Sequence, residues 1–253
     1  MPNWVQNNLI IKGDSEIVAA CLDLCKSDES AFDFNQIVPM PKELDISESS
    51  NNNCAIKYYL TTLSKEEVAN VRNILQRVPD VLFGTLDNAI RLTSYPGASI
   101  KGNDENKKQW IELAKTLIDN CEKYGFPTWY EWRCHNWGTK WTADCPQIHN
   151  IDGETVVSFE TAWDCAYPAI RALSEKFPNL SFTISYADED IGSNCGEYTF
   201  IDGVEQPGGF QYDYHDWKDD PALKEKAIEF ACDIWGYDPE EYLEDEEDYF
   251  EEI

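Results

Sequence analysis

The chain has 253 residues, 42% of them apolar and 13% aromatic with nine tryptophans. That supplies the large side chains that offset ordering entropy, so the composition argues against a disordered protein. Its 48 acidic residues against 20 basic give a net charge of −28, which repels phosphate backbones, disfavours direct binding to nucleic acid and favours a basic partner protein.

"NWVQNNLIIKG" reads as an opening strand ended by Gly13. Asp14 or Ser15 then caps a helix carrying Ile17, Cys21 and Leu24 at helical spacing. "AFDFNQIV" reads as a second strand stopped by the prolines of "PMPKEL", "DISESSNNN" as a loop, and "CAIKYYL" as another strand. Ser64 and Glu67 supply a capping box before Val68, Val71, Leu75 and Val78, and Pro79 ends that helix. The apolar stripe Trp110, Leu113, Ala114, Leu117, Ile118 and Cys121 predicts a helix over residues 105–124, with Gly125 as its left-handed cap.

"PTWYEWRCH" and "ETVVSFE" read as strands, "YPAIRALSEKF" as a helix, "LSFTISY" as a strand, and "GEYTFIDG" with "VEQPGGFQY" as a hairpin around Asp202-Gly203. That order is compatible with a ferredoxin-like or split βαβ sandwich, helices packed on a mainly antiparallel sheet. Pro221 opens a last helix with an apolar face, and Gly236 closes it. From Asp213 onward 17 acidic residues face three lysines, net −14, so half of the charge lies in the final segment. The predicted fold is α+β in three parts: an N-terminal α+β domain (1–103), a ferredoxin-like domain (104–212), and an acidic C-terminal helix and tail (213–253).

Cys134, His135, Cys145 and His149 lie close in sequence but lack the tight Cys-x₂₋₄-Cys knuckle of zinc sites, and adjacent strand residues point to opposite faces. No metal or other cofactor is expected. Three histidines, with no nucleophile elbow and no phosphate loop, give no signature of an enzyme, although a Cys-His pair using Cys134 or Cys145 stays open. The nine scattered cysteines read as buried thiols of a reducing compartment. Asp188, Glu189 and Asp190 in "YADEDIG" read as a solvated turn before they read as a cation site. No stretch approaches the roughly 18–20 apolar residues of a membrane span, and the opening residues lack the order of a secretory signal. A cytoplasmic protein without a membrane partner is expected; no motif specifies an oligomeric state.

Two segments stand out as binding candidates. In "CHNWGTKW", Asn136 and Gly138 suit a tight turn, Asn136, Thr139 and Lys140 supply polar groups, and Trp137 and Trp141 either pack onto the sheet or form an aromatic wall. With Trp163 they suggest either a structural corner or a small-ligand pocket. The tail carries acidic Asp238, Glu240, Glu241, Glu244, Asp245, Glu246, Glu247 and Asp248, interleaved with Tyr242, Tyr249 and Phe250. Carboxylates there steer toward a basic surface while the aromatics act as anchors, as in a surface that imitates the charge of DNA; the alternative is a solvating terminus.

"MPNWVQNNLIIKGD", "FDFNQIVPMPKEL", "NWGTKW", "FETAW" and "PAIRALSEKFPNLSFTISYADED" together resemble the Api92-like (also called YubB-like) family of phage and plasmid proteins, whose C-terminal domain is ferredoxin-like. The blocks run in order from residue 1 to about 200 and leave out the acidic segment. The resemblance implies a mobile-element protein acting inside a bacterium, a setting in which accessory proteins often counter host defences. The leading reading is a non-enzymatic protein that binds and inhibits a basic host protein, such as a nucleic-acid-binding defence component. A small-ligand protein or enzyme using the Asn136–Trp141 loop, and a viral assembly protein, are the alternatives.

Overall fold

Residues 2–77, 104–240 and 242 are described by a computed structural model. They divide into two units, the first formed by residues 1–39 and 134–253 and the second by residues 40–133. Pro79 and Val78, expected at the end of the Ser64-capped helix, lie outside the described residues.

The first unit is built on β1 (Trp4–Lys12), whose odd residues Val5, Asn7, Leu9 and Ile11 are buried while Trp4, Gln6, Asn8 and Ile10 are half-buried and Lys12 is exposed. It lies at the centre of an antiparallel sheet, pairing with β3 (Glu154–Ala162) on one side and β4 (Ser181–Asp188) on the other. β2 (Asp144–Ile151) borders β3, and β5 (Asn194–Ile201) borders β4. The outer edge of β5 is shared by β6 (Val204–Glu205) and β7 (Phe210–Asp213). α1 (Ser15–Cys25) follows β1 and α7 (Tyr167–Lys176) links β3 to β4. Chain order β1-α1-β2-β3-α7-β4 with spatial order β2-β3-β1-β4 is the ferredoxin-like arrangement.

The sequence-based boundary at residue 103 therefore does not hold: β1 belongs to the same sheet as strands 150–180 residues later, and the second unit is an insertion in the chain between them. One face of the sheet buries Phe159, Phe182, Ile184 and Tyr186. Phe32 and Phe34 pack on Phe159 there, at 5.4 and 5.8 Å between centroids, and Tyr167 of α7 meets Phe200 at 4.8 Å. The one-turn α8 (Tyr214–Trp217) follows β7, and the opposite face carries α9 (Pro221–Trp235), whose Ala227, Ile228, Ala231 and Cys232 pack against Ala187, Ile191 and Cys195. Pro221 opens α9 and Gly236 closes it at φ 75°, as the sequence predicts, and Asp220 caps its first turn.

"AFDFNQIV" is no strand but contains the one-turn helix α2 (Phe34–Ile37). Asp33 accepts a hydrogen bond from the Asn35 N–H at 2.9 Å, so the cap overrides the strand-like alternation of Phe32 and Phe34. In the second unit, "CAIKYYL" lies in α3 (Ser50–Thr62) and the polar run before it forms the first turn. Asn52 makes that turn viable by donating to the Ser47 carbonyl at 3.2 Å, while Ala55, Ile56 and Leu60 are buried. The Ser64–Glu67 capping box forms as predicted at the start of α4 (Lys65–Leu75), and α5 (Asp104–Tyr124) matches the predicted long helix. Tyr58 of α3 meets Trp110 of α5 edge-on at 6.0 Å.

"PTWYEWRCH" is also helical, within α6 (Trp129–Asn136), which begins in the second unit and ends in the first. β2 was not predicted because none of its residues is buried: a sheet-edge strand without a core face has no hydrophobic period to read.

Candidate functional site

The loop after α6 splits into structural and exposed halves. Trp137 is 1% exposed, its indole N–H donates to the Val38 carbonyl at 2.9 Å, and its ring lies 6.2 Å from Phe34. Gly138 sits at φ 85°, where a Cβ would come within 2.6 Å of Pro168 Cδ and 2.7 Å of the Cys165 carbonyl. Buried Thr139 pins the loop to the end of β3: its hydroxyl donates to the Ala162 carbonyl at 3.0 Å and accepts from the Ala162 N–H at 3.1 Å. These three residues make the structural corner.

Lys140 and Trp141 face the other way. The Lys140 ammonium lies 4.4 Å from the centroid of Trp141 and 4.8 Å from that of Trp163, and Trp141 is 6.0 Å from Trp4. The aromatic cluster thus joins Trp141 to Trp163 and Trp4, and the wall of Trp137 with Trp141 does not form.

Asn136 serves a different site. It lines a pocket of about 340 Å³ with Val38, His135, Tyr167, Pro168, Arg171, Ala172 and Glu175. Tyr167, Arg171 and Glu175 recur every fourth residue along one side of α7, a periodicity present in "YPAIRALSEK", a segment read from sequence only as a helix. Arg171 Nε donates to the Gly203 carbonyl at 3.0 Å and lies 3.7 Å from Glu175 Oε1. The Tyr167 hydroxyl donates to Glu205 at 2.6 Å, and burial together with this bond pushes its pKa up to about 12. Such a pocket offers a cation, a carboxylate and an amide, groups suited to holding a small polar ligand.

The chain of Asp188, Glu189 and Asp190 forms a turn. Asp188 is buried and accepts from the Asp190 N–H at 2.9 Å and from the Asn3 amide at 3.3 Å, while burial raises its pKa. Among the described residues no three His, Cys, Asp or Glu side chains come together as cation ligands, and the helical setting of Cys134 and His135 removes the opposite-face argument applied to them.

Among the described residues the acidic segment forms a layer on the sheet. α9 turns its apolar residues to the sheet and leaves Glu225, Glu229 and Asp233 exposed four residues apart. Trp235 donates to the Ala187 and Asp188 carbonyls at 3.1 and 3.0 Å, anchoring the end of α9, and exposed Tyr237 stacks on it at 6.1 Å. Exposed Asp238 accepts from the Glu240 N–H at 3.0 Å, and Tyr242 packs back against the α9 cluster. Glu241, Glu244, Asp245, Glu246, Glu247, Asp248, Tyr249 and Phe250 lie outside the described residues. No helix among the described residues is long and apolar enough to cross a membrane.

Residues 136–248 match the family model of the ferredoxin-like domain in Api92-like protein. That match includes α9 and most of the acidic tail, which the sequence resemblance had left out. It excludes β1 and α1, which complete the ferredoxin-like arrangement. No curated protein matches the chain. Among solved structures, a crystal structure of a protein api92 from Yersinia pseudotuberculosis is similar at 12% identity with a TM-score of 0.38, covering 84% of this chain and 98% of that one.

Proposed function

We propose that this chain, whose residues 136–248 match the ferredoxin-like domain in Api92-like protein, is a mobile-element accessory protein acting by binding. Its acidic C-terminal layer docks on a basic, nucleic-acid-binding host protein and inhibits it by competing for the nucleic-acid site. The observation that carries this reading is the docking of α9: its apolar face is fixed on the sheet, so the stripe Glu225, Glu229 and Asp233 is presented on a rigid element beside exposed Tyr237. Fixed carboxylates lose little entropy on binding, and a neighbouring aromatic supplies an anchor that charge alone lacks. The mobile-element setting rests on the family resemblance, the inhibitory role on analogy with other mobile-element accessory proteins, and the basic partner on the charge.

The test is capture from bacterial lysate at low and moderate salt, using the full chain, a 1–236 truncation and the triple variant Glu225→Gln, Glu229→Gln, Asp233→Asn. The full chain should retain a basic nucleic-acid-binding protein, with both altered forms retaining less. Equal retention by all three forms would remove the acidic layer from the account.

The pocket beside Asn136 favours a second reading, a small polar ligand held by Arg171, Tyr167 and Asn136. In that case Arg171→Met abolishes binding of the ligand, and the acidic-layer variants leave it unchanged.

A further inference from the structure

Trp141 and Trp163 contrast with Trp137 in the same corner. Trp137 is a core residue with its N–H bonded, whereas Trp141 and Trp163 are 37% and 42% exposed. Trp163 also holds its backbone at φ 73°, a left-handed conformation unfavourable for a bulky side chain. The surroundings enforce it: the Trp163 N–H donates to the Asn3 carbonyl at 2.9 Å, and the Asn194 amide donates to the Trp163 carbonyl at 3.3 Å. Strain kept in this way at an exposed aromatic marks a functional surface more often than a packing accident.

Acidic residues neighbour these rings in sequence and along the sheet. Asp164 follows Trp163 in sequence. The Glu189 N–H donates to the Trp4 carbonyl at 2.8 Å, which ties the backbone of that acidic residue to the strand that carries the third ring. Asp144 pairs with Glu160 in the sheet, and Glu160 pairs with Gln6, two residues along β1 from Trp4. The Lys140 ammonium lies over both Trp141 and Trp163, so the two faces already accept a cation.

We propose that Trp141 and Trp163 form a clamp for an arginine or lysine side chain of the basic partner, and that Lys140 is the internal occupant this side chain displaces. The clamp rests on the basic-partner reading and gives it a second contact, outside the acidic layer. The net charge of −28 draws a cationic side chain in, and the indole faces hold it after it loses water. Lys140 raises the threshold for binding, so isolated cations are rejected and a segment with several basic residues is favoured.

Titration of the full chain with a hexa-arginine peptide at moderate salt tests this, in a cycle of Lys140→Ala against Trp141→Leu and, separately, Trp163→Leu, with circular dichroism to confirm each fold. Lys140→Ala should tighten binding by about two- to five-fold in the wild-type background, and this gain should vanish when either tryptophan is leucine. The Trp141→Leu arm keeps the test valid if Trp163→Leu disturbs the strained turn. An equal gain in all backgrounds, or tryptophan variants that bind like wild type, would overturn the clamp and leave the basic-partner reading intact. Absence of peptide binding by every form would overturn both.

Discussion

Thr128 places its hydroxyl between two carboxylates, donating to Glu48 Oε1 and lying 2.9 Å from Glu131 Oε2. One hydroxyl hydrogen cannot serve two ionised acceptors, so a proton on one carboxyl completes the set. Glu131, 8% exposed, is the one that holds it: burial, with the Glu48 charge second, pushes its pKa from 4.5 up to about 7. A carboxyl that binds its proton more tightly when folded makes stability fall as pH rises between those two values. The full loss, about 3 kcal/mol, is reached above pH 7. Denaturant unfolding of wild type and Glu131→Gln at pH 5 and pH 8 should therefore show the variant losing less stability across the interval. Identical pH dependence would show that Glu131 does not carry the proton.

The acidic layer depends on how α9 sits. Ile228 is 1% exposed within the cluster that joins α9 to Ala187 and Cys195, so Ile228→Ala removes buried contacts and should cost about 2–4 kcal/mol. It should also weaken partner binding while the net charge is unchanged; calorimetric binding that stays at wild-type affinity would show that a rigid α9 is not needed. This element was legible in the sequence because its signals agreed: Asp220 and Pro221 at one end, Gly236 at the other, and an apolar stripe between. Helix α4 was legible for the same reason. α3 and α6 were misread because their apolar and aromatic residues cluster without a clear period, and the local hydrogen bonds of Asn52 to Ser47 and of Thr128 to Glu131 that accompany their first turns leave no hydrophobic pattern to read. For the candidate site, the sequence singled out Lys140, Trp141 and Trp163, but not which tryptophans meet. That pairing depends on β1 bringing Trp4 and Asn3 alongside the end of β3, a contact across about 160 positions of sequence.

At the scale of the whole molecule, the ferredoxin-like unit is discontinuous in sequence, with residues 40–133 forming their own unit. The two points where the chain leaves and re-enters the sheet unit are close, since Trp137 bonds the Val38 carbonyl at 2.9 Å. Replacing residues 40–133 with a short Gly/Ser linker should leave a folded sheet unit, read by cooperative thermal unfolding and dispersed amide signals in NMR; a collapsed, non-cooperative product would make the insertion part of one folding unit. Such a unit would keep both α9 and the Lys140 cluster. The net charge of −28 acts over all of this as a long-range field that speeds encounter with a cationic partner and weakens with salt. The most direct measurement of the central claim is release of a labelled DNA duplex from the captured host protein as the full chain is titrated in. The acidic layer should displace the duplex in proportion to chain added, with displacement falling as salt rises; a duplex that stays bound while the chain binds alongside it would contradict competition for the nucleic-acid site.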